Sequence, residues 1–355
     1  MLKSFIGIDV HKHRCVYTEI DTKGKILRRG AFCNTFAEVS DFASTLQGRE
    51  GIVVEPVLNY LWLLDQLESY AGSIHVATPH KVRVIAESKC KTDKYDSRIL
   101  ADLLRTNFLP ESYIAPDWIR SLRELLRQRS HLIKNRTMLK NRIRHLLFLN
   151  GSKIESADVS SAKARRELRM MYLPDMVSSS IQQCLLLIEQ LDRMVEPLEA
   201  EIVIRTRDVK EVQLLQTIPG IAFLLSAIIY AEVVDIGRFR SRKAFASYTG
   251  LIPTVRASGG SAHYGSITRH GSRPLRTALV EAAIKVVRYS EALNRLHKRI
   301  QYRSNVQKAR VAVARKLATI IFVMLKREEP FRCEKKLKHA RAFDINQGMS
   351  KSQGC

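Results

Sequence analysis

The sequence predicts an α/β domain followed by a mainly helical region, and three observations carry that division. Short apolar runs of strand length alternate with helical stretches over residues 5–105. A basic segment with apolar residues at three-to-four spacing begins at Trp118, and a cleaner heptad seam runs from Ile181 to Ile202. Beyond residue 211 apolar residues recur mainly at helical spacing, broken by a polar, Gly-rich segment from Arg256 to Gly271.

The elements follow in order. Phe5-Ile6-Gly7-Ile8-Asp9-Val10 is an apolar run enclosing one carboxylate, and Cys15–Ile20 is a second strand. Asp21-Thr22-Lys23-Gly24 supplies the turn into a third, Ile26–Phe32. A helix over Phe36–Leu46 precedes a buried strand, Ile52-Val53-Val54-Glu55, which Pro56 terminates. Helix Tyr60–Tyr70, strand Ile74–Ala77 and helix Tyr95–Arg105 complete the unit. Three hairpin-linked strands and then α-β-α-β-α is the element order of the ribonuclease H-like fold. A dinucleotide-binding unit would not begin with three consecutive strands, and GxGxxG is absent.

Between Trp118 and Arg144 there are nine Lys/Arg and one acid, Glu124. The seam Ile181, Cys184, Ile188, Leu191, Val195, Leu198, Ile202 contains Pro197, which is expected to kink or end its helix. With a Ser-rich, Pro-containing stretch between them, these two segments predict a projecting helical hairpin, serving either as a linking bundle or as an intermolecular coiled coil. Helices over Pro274–Tyr289 and Ser304–Leu325 follow, and Ala342–Cys355 is polar. The expected domains are 1–115, 116–208 and 209–330, with a basic tail at 331–355.

Composition narrows the function classes. The 355 residues are 45% hydrophobic, so the chain can bury a core; 59 Lys+Arg against 35 Asp+Glu leave a formal net charge of +24. An excess of this size is relieved by a polyanion, and nucleic acid is the usual one. The six cysteines form no CxxC pair, which argues against a zinc ribbon and a disulfide framework. No signal peptide is visible, and the most apolar run, Ile221–Val234, contains Glu232 and is too short to span a bilayer. The expectation is a cytoplasmic, nucleoid-associated protein.

Four acids are candidates for chemistry. Asp9 lies inside an apolar strand, where a charge is costly unless it binds something. Glu55 ends a strand expected beside the first, and Asp93 and Asp96 are three apart at a helix start. Carboxylates that converge without His or Cys suit Mg²⁺, and two such ions are the usual apparatus for phosphodiester cleavage; Mn²⁺ is the expected substitute. Plainer readings stand beside this one: Asp93 as an N-cap, Asp96 as a first-turn acid, Glu55 as a solvated strand end. Asp102 is offset by six residues from Asp96 and points elsewhere.

A serine is the fifth candidate. Ser258-Gly259-Gly260 sits among Arg256, His263, Arg269, His270, Arg273 and Arg276. Cations that hold a phosphate and glycines that allow close backbone approach would let a serine attack phosphorus, though such a segment is more often simply a loop. Arg256, Arg269, Arg273 and Arg276 are candidate phosphate contacts, as are Arg120, Arg123, Arg127, Lys134, Lys140 and Arg144 on the basic helix.

Together these residues resemble the insertion-sequence-110 family of transposases, DEDD recombinases that include the Piv-type DNA invertases. The resemblance runs over about residues 4–327 and rests on order and spacing. Its N-terminal motifs are Gly7-Ile8-Asp9-Val10-His11-Lys12, Val54-Glu55-Pro56 and Lys91-Thr92-Asp93-Lys94-Tyr95-Asp96 with Leu100-Ala101. Those further on are Ile218-Pro219-Gly220-Ile221, Tyr248-Thr249-Gly250-Leu251-Ile252-Pro253, Ser258-Gly259-Gly260, Gly265-Ser266-Ile267-Thr268-Arg269-His270-Gly271 and Leu275-Arg276. Ala257 stands where many relatives carry a second Ser, which keeps Ser261 open as an alternative nucleophile. Ile218-Pro219-Gly220-Ile221 resembles the phosphate-binding hairpin of a helix-hairpin-helix, with Ala222 in place of its second glycine, and reads equally as an ordinary helix-initiating turn.

The resemblance implies a RuvC-like domain with Asp9, Glu55, Asp93 and Asp96 as its metal site, and Ser258 as the nucleophile that joins DNA covalently. It also implies double-stranded DNA at element ends and target as substrate, and a structured non-coding RNA as a further partner. A homo-oligomer, dimer or tetramer, would pair the acids of one subunit with the serine of another. Three alternatives stand beside it: a Piv-like site-specific invertase shares all these motifs, a RuvC-like structure-selective nuclease would use the same acids and needs no serine, and a non-catalytic nucleic-acid scaffold fits the charge alone.

Overall fold

In the computed structural model, which describes residues 2–56, 59–85, 93–258 and 261–332 (by backbone alone at 93–95, 256–258 and 261–264), the first apolar run forms strand β1, Ser4–Val10. It pairs antiparallel with β2 (Arg14–Asp21), and β2 with β3 (Ile26–Cys33). After helix α1 (Phe36–Ser44) the chain returns as β4 (Glu50–Val54), parallel to β1; helix α2 (Tyr60–Leu67) then leads to β5 (Ser73–Val76), parallel to β4. The strand order is therefore β3-β2-β1-β4-β5. Two helices complete this unit, α3 (Pro79–Ile85) and α4 (Asp93–Arg105).

Strand alternation sorts the side chains onto two faces. Ile6, Ile8, Val10, Ile52, Val54 and Val76 pack with Val39 and Phe42 of α1 and Leu63, Leu64 and Leu67 of α2. Val53 and Ala77 meet Val82 of α3 and Leu100, Leu103 and Leu104 of α4 on the other. Residues 110–112 then run beside β5: the Ser112 N–H donates to the Val76 carbonyl at 2.7 Å, and Ala77 bridges Glu111. His75 on β5 lies between the Ser73 hydroxyl (3.0 Å) and the Glu111 carboxylate (2.9 Å).

The chain divides into two units, Met1–Ala115 and Pro116–Cys355. The second opens with α5 (Asp117–Leu149), α6 (Ala162–Met170) and α7 (Asp175–Thr206). α5 and α7 pack antiparallel within one chain: Arg129 reaches Glu199, Arg136 reaches Asp192, and Ile143, Leu146 and Leu147 bury against Ile181, Cys184 and Ile188. α7 does not end at Pro197. Apolar contacts on both sides of the proline, at Val195 and Ile202, hold the helix through the missing hydrogen bond. α6 sits where the sequence had suggested only a connection, capped by the Ser161 hydroxyl.

Asp158, between α5 and α6, accepts from Lys140 Nζ at 2.8 Å and from the Ser160 N–H and hydroxyl. The Lys140 ammonium and then the Ser160 donors hold its carboxyl well below the usual carboxylate range. A depressed pKa stabilises the fold above the unfolded value, near pH 4, and the gain is lost as acid titrates the folded group. Asp158→Asn is expected to flatten the fall in unfolding midpoint below about pH 4; an unchanged acid profile would show that other carboxylates govern it.

Short helices α8 (Lys210–Gln216) and α9 (Phe223–Val233) flank Ile218-Pro219-Gly220-Ile221, where Gly220 takes φ +93°. Then come α10 (Arg242–Tyr248), strands β6 (Pro253–Ser258) and β7 (Ser261–Ile267), and helices α11 (Arg273–Val286), α12 (Glu291–Arg303) and α13 (Val306–Arg327). The segment expected to be a Gly-rich loop is thus largely a β-hairpin, with Ser258 opposite Ser261. Thr254, Val255, Tyr264 and Ile267 supply its β-propensity, which Gly259, Gly260 and Gly265 obscured. Among the described residues no helix is long and apolar enough to cross a membrane.

Candidate active site

In the first unit the predicted acids gather at one end of the sheet. The register Ile8↔Val54 places Asp9 level with Glu55 on neighbouring parallel strands. Alternation puts both on the face that carries α4, because Gly7 and Val53 also belong to it. The direction of α4 follows from its contacts. Ser97 meets Thr18, the partner of Gly7, through their hydroxyls at 2.9 Å, whereas Leu104 lies near Gly51, the partner of Phe5. The helix therefore runs against β1 and begins at the Asp9 end, bringing Asp96 and the backbone of Asp93 there. Asp102 is ion-paired with Arg98 and Arg105 further along the helix, away from that end.

This approach depends on a missing side chain. A Cβ at Gly7 would lie 2.0 Å from the Ser97 carbonyl oxygen and 2.7 Å from the Ala101 nitrogen, so only glycine lets helix and strand backbones come this close.

Asp9 is only 7% exposed, with His11 Nε2 3.3 Å from its carboxylate. Burial, and then the charge of Asp9, push the Cys15 thiol up to about 12. Cys15 is accordingly expected to resist a thiol reagent at pH ~8 until the chain unfolds, whereas exposed Cys33 stays accessible; peptide mapping after labelling measures this. Among the described residues no three His, Cys, Asp or Glu side chains stand close enough to hold an ion together, and the Asp93 side chain lies outside the described residues. The donor set still fits a hard divalent cation: it is all oxygen, and Asp9 is a buried carboxylate in the middle of a sheet.

In the second unit Ser258 is the last residue of β6; its side chain and that of Arg256 lie outside the described residues. The turn after the hairpin is tightly built. Thr268 N–H donates to Ile252 O at 2.8 Å, Gly250 and Gly271 take φ +67° and +97°, and a Cβ at Gly271 would lie 1.9 Å from the Tyr248 carbonyl. Arg276 donates to the Arg269 carbonyl at 3.3 Å, and burial and then the charges of Arg269 and Arg273 lower its pKa. Three guanidiniums thus stand close enough to repel one another beside the N-terminus of α11.

One residue of this framework was visible in the sequence only as an interruption. Glu232, 7% exposed on α9, accepts from the hydroxyl of Ser272, which also caps α11 at the Leu275 N–H. Its backbone carbonyl receives Tyr248 Oη at 3.1 Å and faces Arg238. A buried carboxylate thus ties the apolar helix α9 to the turn carrying Arg269. A lone charge in an apolar helix was the available signal.

Several cations of α5 have partners within the chain. Arg120 pairs with Asp117, Arg123 caps the carbonyls of Ala231 and Glu232, Lys140 holds Asp158, and Arg144 donates to the Ala157 carbonyl. These contacts tie α5 to its neighbours, while much of the helix surface between them stays exposed. Among the described residues no such partner is shown for Arg127 or Lys134.

Both units match known transposases. Residues 6–149 match the family model for DEDD transposases of the IS110 type, described as "Transposase". Residues 212–298 match "Transposase IS116/IS110/IS902 family". The transposase for insertion sequence element IS1111A of Coxiella burnetii is 28% identical, the match covering 92% of this chain and 91% of the relative. The pilin gene-inverting protein of Moraxella bovis is 26% identical over 93% and 98%, and a probable family 20 transposase of Pseudomonas aeruginosa is 27% identical over 71% and 79%. The protein is a transposase, a DNA-cutting and joining enzyme. Within that class the chain belongs to the IS116/IS110/IS902 family.

Proposed function

We propose that this chain moves an insertion sequence by cutting and rejoining DNA strands with two groups of residues. Asp9, Glu55, Asp93 and Asp96 would hold Mg²⁺, two ions in the full site with Mn²⁺ able to substitute, and Ser258 would be the nucleophile. The observation that carries this reading is the convergence of Asp9, Glu55 and the start of α4 at one end of the sheet, in a chain of transposase family. The strand order, with two antiparallel partners and then two parallel ones, supports a ribonuclease H-like, RuvC-like fold for the first unit.

When bound, the ions supply Lewis-acid stabilisation of charge on the phosphate. The chain's own residues do the rest. Arg269, Arg273 and Arg276 neutralise a strand's phosphate oxygens, with Arg256 as a further contact. The Ser258 oxygen attacks phosphorus and loses its proton; the phosphodiester P–O bond breaks, and the leaving strand's oxygen takes a proton. The resulting phosphoserine ester keeps the bond energy, so a hydroxyl of a second strand can displace the serine and complete the transfer with no further energy source.

In this reading the substrate is double-stranded DNA at element ends and target, and a structured non-coding RNA and a dimer or tetramer belong to the working complex. The hairpin at 116–208 would serve assembly, 209–330 the serine chemistry, and 331–355 would add basic charge. A second reading, site-specific inversion, is favoured by the similarity to pilin gene-inverting proteins over nearly the whole chain. A strand-joining assay with element-end and target DNA tests the proposal. Ser258→Ala is expected to remove the covalent protein–DNA adduct and the joined product, while Ser261→Ala keeps both. Full joining by Ser258→Ala would sink the serine assignment. Ribonuclease treatment should block target joining; indifference to it would favour inversion without RNA.

A further inference from the structure

The exposed face of α12 differs from that of α5. Leu293 is buried, and Leu296 and Ile300, at helical spacing from it, turn the same side toward α13. At 100° per residue the opposite side carries Glu291, Arg295, Lys298 and Tyr302, with Arg299 at its border and Lys308 just beyond on α13. On α5, Arg129, Arg136 and Lys140 each face a carboxylate. On α12 Arg295 stands 4.0 Å from Glu291, and among the described residues no carboxylate lies within ion-pair distance of Lys298, Arg299 or Arg303. At the C-terminal end of this stripe Tyr302 is 94% exposed, its ring almost wholly in water.

Adjacent like charges raise the free energy of the helix until a polyanion covers them. A chain of cations alone fits any phosphate surface. An aromatic ring standing among them fits one in which the bases are unpaired and present their faces, because stacking on a duplex is blocked by the neighbouring pair. From Arg295 to Tyr302 the stripe is about 10 Å long, a length matched by a few nucleotides.

We propose that this face of α12 binds a short stretch of single-stranded DNA, with Arg295, Lys298 and Arg299 on its phosphates and one base stacked on Tyr302. The inference rests on the proposed strand cutting, which frees unpaired DNA beside the protein, and it assigns residues outside both groups of the candidate active site.

The test is fluorescence anisotropy of labelled oligo(dT) with the full chain, in the absence of divalent cations. Tyr302→Phe is expected to bind within about twofold of the parent, and Tyr302→Leu, equally apolar but without the ring face, about tenfold more weakly. Lys298→Gln with Arg299→Gln is expected to flatten the slope of log affinity against log salt by roughly 0.7 for each lost phosphate contact. Unfolding midpoints of these surface variants should match the parent. Equal binding by Tyr302→Leu, an unchanged salt slope, or tighter binding of single-stranded RNA, duplex DNA or anionic vesicles would overturn the proposal. Asp9→Asn is the companion variant: it should bind oligo(dT) normally, so failure of strand joining chemistry and failure of this surface are read in separate assays.

Discussion

Asp9→Asn folds normally and joins DNA strands about a thousandfold more slowly than the parent, or not at all. The magnitude follows from several kcal/mol of charge stabilisation at a phosphate, with each tenfold in rate worth about 1.4 kcal/mol. The stability change is the more discriminating part. Asp9 is a buried carboxylate on a strand that is otherwise apolar or Gly from Phe5 to Val10, with His11 beside it, and a charge in such a place is costly unless it has compensating partners. Asparagine keeps its shape without the charge, so the unfolding midpoint should stay close to the parent's while joining disappears. A variant that lost joining only in proportion to lost folded protein would instead make Asp9 a structural residue. Loss of stability with retained joining would exclude it from the chemistry.

Gly7→Ala acts on the same site through the backbone. The added methyl would meet the Ser97 carbonyl at 2.0 Å and the Ala101 nitrogen at 2.7 Å, so no rotamer change relieves it and α4 must lift from β1. Overpacking of this kind costs about 3 kcal/mol or more, near the upper end of its usual range. Chemical denaturation of the full chain would measure the loss. Gly51→Ala is the control: its nearest neighbours are the side-chain ends of Leu2, Leu104 and Phe5 at 3.1–3.3 Å, which can yield, so its cost should be much smaller. A comparable loss in both variants would mean that the close approach of α4 is not what Gly7 provides. Because α4 brings Asp96 to the Asp9 end, the Gly7 variant should also lose joining in the fraction that stays folded.

Much of the first unit was legible because its signals are local. The strands at Phe5, Cys15, Ile26 and Ile52 and the helices at Phe36, Tyr60 and Tyr95 stand within a few residues of β1–β4, α1, α2 and α4. Asp9 could be singled out because a carboxylate in an apolar strand contradicts its surroundings. The second unit hid more. Glycines masked β6 and β7, whose pairing is a relation between two segments. Pro197 looked like a helix kink or end because its cost is local, while the contacts beside it, such as Arg129 with Glu199, come from a partner helix far along the chain. The intrachain partners of the α5 cations, Asp158, Glu199 and the α9 carbonyls, lie in other elements and leave no local signal. Glu232 was legible as an anomaly, but its partner Ser272 is forty residues away.

The run of residues 110–112 along β5 bears on how copies of this chain can meet. An uncovered outermost strand is a template onto which another molecule's strand can add, and proteins that must not polymerise obstruct it. Here the Ser112 amide occupies the Val76 carbonyl, Ala77 is bridged to Glu111, and His75 is held between Ser73 and Glu111. β5 is also only four residues long. Growth of the sheet from that border is thereby blocked, so any self-association must use surfaces other than a continuous intermolecular sheet through β5.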